Sequence, residues 1–110
     1  MSNLHNHYSG LASVLANPEA VANPKALSAG DLSLMQSHVQ AAHFGLGQVL
    51  SAVAVLIQSQ ARVDPAYQMP QPELNDAMAE LLLLAGGVMM TLSDIGQAFN
   101  DEEYRRIRPY

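Results

Sequence analysis

The chain has 110 residues, of which 49% are apolar, and it contains no Cys or Trp. A length of this order holds one domain, or part of one completed by association. Ten acidic residues against five basic give a net charge of −5, which excludes a clustered basic nucleic-acid face, and the lack of Cys excludes disulfides, thiolate metal sites and a thiol nucleophile.

Residues 1–8 carry no Lys or Arg and no apolar core, so they do not read as a secretory signal. A cytoplasmic chain is the expectation. Residues 1–27 form an N-terminal segment of short helical turns. Asn17-Pro18 and Asn23-Pro24 sit in the near-repeat Ala-Asn-Pro-Glu-Ala and Ala-Asn-Pro-Lys-Ala. Asn caps helices, and Pro is favoured at the first helical position because its missing N–H has no partner to lose there. Leu11, Val14 and Leu15 share one helical face and read as a strap over the main body.

A first long helix is predicted over 28–62, capped by Ser28 with Asp31 in its first turn and closed by Arg62. Leu32, Met35, Val39, Ala42, Leu46, Val49, Val53 and Leu56 recur at alternating steps of three and four, a heptad seam. No formal charge falls between Asp31 and Arg62. The stretch is long enough to cross a bilayer, for which about 20 apolar residues suffice. Gln36, Gln40, Gln48, Ser51 and Gln58 interrupt it, however, and the longest apolar run, Ala52 to Ile57, has six residues. The expectation is therefore that no membrane span is present.

Residues 63–71 hold Pro65 and Pro70, with Pro72 following, and read as a loop. A second long helix is predicted over 72–108, with Glu73 and Asp76 favoured in its first turn by the helix dipole. Its seam is Leu74, Met78, Leu81, Ala85, Val88, Leu92, Ile95 and Phe99.

Two heptad helices joined by a short loop predict an all-α, antiparallel helical hairpin. Leu50 and Ile57 flank the first seam, and Leu82 and Met89 flank the second. Two adjoining apolar stripes per helix suit a four-helix bundle, so these four residues are the candidate self-association surface of a homodimer. The rival is a three-helix monomer closed by residues 8–27.

Gly45 and Gly47 in the first helix face the level of Gly86 and Gly87 in the second. Each Gly costs about 0.8–1.0 kcal/mol against Ala inside a helix. Two readings of this waist stand side by side: close packing of the helices, or a pocket for a small apolar ligand beside Phe44 and Met90.

Catalytic chemistry finds no support. His38 and His43 point about 140° apart on a helix, so they cannot share a metal as an i, i+4 pair does. No Glu-x-x-His motif occurs, and His43 is expected to reach across toward Thr91. No cofactor or metal is expected. The tail offers a candidate partner-docking element in Tyr104, Arg105, Arg106, Ile107, Arg108 and Tyr110, with Asp101 expected to pair with Arg105. The reading is a non-enzymatic helical bundle that self-associates and binds protein partners, or alternatively takes a small apolar ligand at the glycine waist.

Overall fold

The computed structural model describes residues 4–7 and 9–107. Among them every regular element is helical: α1 (Gly10–Leu15), α2 (Pro18–Ala22), α3 (Ala29–Gln60) and α4 (Gln71–Ile107), with single 3₁₀ turns at Pro24–Ala26 and Pro65–Tyr67. The starts follow local chemistry. Ser9 and Ser28 each accept a backbone N–H in the first turn, from Ala12 and Asp31, which satisfies donors a helix start leaves without partners. Pro18 and Pro24 stand at the first positions of their turns. α3 stops at Gln60, because Ala61, Arg62 and Val63 donate to carbonyls three residues back and tighten the chain into the loop. Arg62 therefore sits just past the helix rather than inside it.

α3 and α4 pack against each other, the early part of α3 meeting the late part of α4. Gln36 Nε2 donates to Asn100 Oδ1 and Glu103 Oε2 at 2.9 and 2.7 Å, and Val39 lies against Gly96. Leu32, Met35, Val39 and Ala42 from α3 and Leu92 and Phe99 from α4 form the buried core, closed by Val14 of α1 and Ala20 of α2. α1 approaches α3 through Gly10. A Cβ there would lie 2.5 Å from His38 O and 2.6 Å from Ala42 N, so only glycine lets the two backbones come this close. Asn17 ties the strap together from a buried position: its Oδ1 accepts from His5 N at 2.8 Å, and its Nδ2 donates to Ser13 O at 2.6 Å.

The α4 seam is covered throughout, with Ala85, Leu92 and Phe99 buried and Leu74, Met78, Leu81, Val88 and Ile95 half-buried. Of the α3 seam's later positions only Val53 stays half-buried; the rest of the seam holds as far as Leu46. Beyond it Val49 and Leu56 are 55% and 68% exposed, while Leu50 and Ile57 turn half-buried toward α4. A straight helix of 3.6 residues per turn drifts about 20° per heptad from a 3.5 repeat. The contact line therefore moves one residue along α3 in its distal half.

One expectation is overturned. Both long helices, Ala29–Gln60 and Gln71–Ile107, are long and apolar enough to cross a membrane, and only 6% and 11% of their most apolar windows is buried. The polar residues that seemed to break the first stretch come at most three at a time, so the average over 18 residues stays apolar. The exclusion of a membrane span does not stand.

Candidate functional site

The strap formed by residues 9–27 covers only the proximal part of the α3–α4 pair. Beyond it both helices are bare. Phe44, Val55 and Leu56 on α3 and Leu82, Leu83, Leu84 and Met90 on α4 are all more than half exposed, as is Tyr67 at the loop. Single exposed apolar residues are ordinary, but a contiguous set marks an interaction surface. Of the residues singled out for self-association, Leu82 and Met89 are 64% and 41% exposed, whereas Leu50 and Ile57 are half-buried at the edge of the helix contact.

The waist does not gather into one site. Phe44 and Gly47 line a shallow hollow with His43, Gln48 and Ser51, whereas Gly87 lines a separate cavity between α1 and α4; Gly45, Gly86 and Met90 line neither. Nor do these glycines mark close packing within the chain. A Cβ built on Gly45, Gly47, Gly86 or Gly87 meets nothing within 4 Å. Replacing Gly86 with Ala is accordingly expected to raise stability by about 1 kcal/mol, read as a higher denaturation midpoint. A loss of stability would show that something else packs on that backbone.

The α1–α4 cavity has a volume of about 420 Å³. Leu11 and Leu15 form one wall and Leu84, Val88 and Ile95 the other. Its lining contains no charged residue, and Thr91 supplies its one hydrogen-bonding side chain. His43 faces elsewhere, into a polar groove with Gln36, Ser93 and Asn100, so the expected approach to Thr91 is not made.

The tail is engaged internally. Glu102 is buried, and it accepts from Arg105 Nη2 and Arg106 Nε, each at 2.6 Å. Arg106 Nη2 goes on to donate to the backbone carbonyls of Pro24, at 3.2 Å, and Leu27, at 2.7 Å. Glu102 and Arg106 thus latch the strap to the end of α4. Arg105 pairs with Glu102 three residues back rather than with Asp101, which accepts from Gln97 instead. Tyr104 and Ile107 are 56% and 72% exposed; Arg108 and Tyr110 lie outside the described residues. Glu102 was legible in one respect, since it takes the next seam position after Phe99, where a carboxylate needs partners.

Hydrogen bonds from Arg105 and Arg106 hold the Glu102 carboxyl at about 2, down from 4.5. A depressed carboxyl adds stability above its unfolded value and loses it as the folded form takes up a proton. The latch is therefore expected to weaken as pH falls from 4.5 toward 2, seen as lower amide protection in residues 18–27 relative to the intrinsic exchange rate at each pH. Glu102→Gln should exchange fast there at neutral pH and show no such acid step.

His38 Nε2 lies 2.8 Å from Asn6 Oδ1, a contact between the residues preceding the strap and α3. Among the described residues no three His, Asp or Glu side chains converge as a metal site would require. No family model, curated protein or solved structure matches the chain.

Proposed function

We propose that the protein is a non-enzymatic interaction module in which two copies associate as antiparallel helical hairpins into a four-helix bundle. One observation carries this reading. The distal half of the α3–α4 pair leaves Val55, Leu56, Leu82 and Leu83 between 59% and 77% exposed, on a chain with no formal charge between Asp31 and Arg62. A soluble helix facing water on most of its circumference carries a charged face, and α3 has none. A second copy supplies the same uncharged surface, which makes a self-complementary, closed interface the simplest cover.

The face bearing Leu82 and Met89, with Leu50 and Ile57 at its edge, is the part assigned to this contact. The double variant Leu50→Glu, Leu82→Glu tests it. Light scattering of the wild-type chain is expected to give twice 11.8 kDa, and the variant 11.8 kDa with its helix content kept. A variant of unchanged dimeric mass removes this face from the interface. A wild-type chain that remains in aqueous buffer as a monomer, or that is recovered only with lipid, contradicts self-association itself.

A further inference from the structure

The strap carries its own hydrogen bonds. The backbone bonds of α1, α2 and the 3₁₀ turn at Pro24–Ala26 close within residues 9–27. Its buried polar side chains, Ser13 and Asn17, are satisfied locally as well. Asn17 Nδ2 donates to Ser13 O at 2.6 Å and to His5 O at 2.7 Å, and Ser13 Oγ accepts from His7 N at 2.8 Å. Lifting the strap from the hairpin in one piece therefore orphans none of these groups.

Arg106 clips the end of this piece to α4. Its Nη2 faces the carbonyls of Pro24, Lys25 and Leu27 at 3.2, 3.4 and 2.7 Å, while its Nε is held by the buried Glu102. Leu27 and Ser28, both extended, join the strap to α3 directly beside the clip. A self-contained segment, a two-residue extended link and a latch next to that link make a hinged cover.

The surface under the cover is apolar. Val14 and Ala20 close over a core that holds Leu32, Met35, Leu92 and Phe99. With the strap raised, these residues would join the exposed apolar side chains of the distal half, and the bare surface would run the length of the hairpin. We propose that the strap restrains self-association: closed, it occupies the proximal core, and opened about Leu27 and Ser28 it yields that core to a second copy. The proposal rests on the self-association reading above and supplies its control. Strap and second copy compete for the same residues, so the closed form reduces the apparent affinity between copies by the fraction of chains that stand open.

The test follows the full chain by light scattering over a dilution series, with amide exchange read alongside. Arg106→Gln leaves Glu102 paired with Arg105 and removes the clip. It is expected to lower amide protection in residues 18–27, to keep the helix content, and to lower the concentration at which dimers dissociate by roughly tenfold. The chain has no Cys, so the double variant Lys25→Cys, Arg106→Cys can be joined within one chain by a short bis-maleimide. Before linking it should behave as Arg106→Gln, and after linking it should return to the wild-type midpoint. An Arg106→Gln chain that loses protection in 18–27 yet dissociates at the wild-type concentration would overturn the proposal. So would a linked chain that keeps the lowered midpoint. Unchanged protection in Arg106→Gln would remove Arg106 as the latch, and the proposal with it. Wild type and variants that stay monomeric at every concentration would instead overturn the self-association reading on which it rests.

Discussion

Replacing Gly10 with Val is expected to lift α1 from α3 and to destabilise the chain by about 3 kcal/mol or more, at the upper end of overpacking costs. The atoms in the way decide the magnitude. A Cβ on Gly10 would stand 2.5 Å from His38 O, 2.6 Å from Ala42 N and 2.7 Å from Ala41 Cβ. Two of these belong to the α3 backbone, in the middle of a 32-residue helix, and cannot yield. α1 must move instead, taking Val14 out of the core and breaking the contact between His38 and Asn6. Urea denaturation at fixed protein concentration reads the loss, and amide exchange locates it in residues 9–27. Gly96→Ala is the comparison: its added Cβ would lie 3.2 Å from Val39 Cγ1, a side-chain methyl that can shift by a few tenths of an ångström. A Gly10→Val chain as stable as Gly96→Ala would show that α1 is not seated as described.

Phe99→Ala is expected to cost about 3–5 kcal/mol, since it deletes a whole ring from a close-packed core. Phe99 is fully buried, and its cluster includes Leu32, Met35 and Leu92, which come from both long helices. It also stands one turn before the Glu102–Arg106 latch, so a cavity there loosens the region where the strap joins α4. A lowered denaturation midpoint with an unchanged denaturant slope is the expected signature. A cost under 1 kcal/mol would mean that the core at this level is open to water in solution.

How far the sequence disclosed this architecture depends on the physical range of each interaction. Caps and breaks are local, and they were readable: Ser28 caps α3, Pro18 and Pro24 start turns, and α4 begins within a residue of Pro72. The α4 seam was readable as well, because every one of its positions is buried or half-buried. The α3 seam was readable to Leu46 and again at Val53. A heptad template assumes a supercoiled helix, and a straight one brings Leu50 and Ile57 inward while Val49 and Leu56 turn out. Leu50 and Ile57, read as flanking the seam, thus lie half-buried at its edge, whereas Leu82 and Met89 are exposed.

Other features depend on tertiary approach. Nothing near Gly10 in the sequence signals that α3 passes within contact. Gly45, Gly47, Gly86 and Gly87 drew notice as interior glycines, yet none is needed for a contact inside the chain. Arg106 read as part of a partner-docking tail, but it clamps carbonyls some eighty positions away in the strap. The membrane question turned on scale: short apolar runs argued against a span, while the average over a bilayer-length window argues that both helices qualify.

The account's central claim is that the exposed apolar side chains on the distal halves of α3 and α4 are covered by a second copy of the same chain. The most direct test is the mass of the full chain by light scattering in detergent-free buffer, followed over a dilution series. The expected result is twice 11.8 kDa at high concentration, falling toward 11.8 kDa on dilution. A mass of 11.8 kDa at every concentration, with residues 49–60 and 76–84 still protected from exchange, would contradict it.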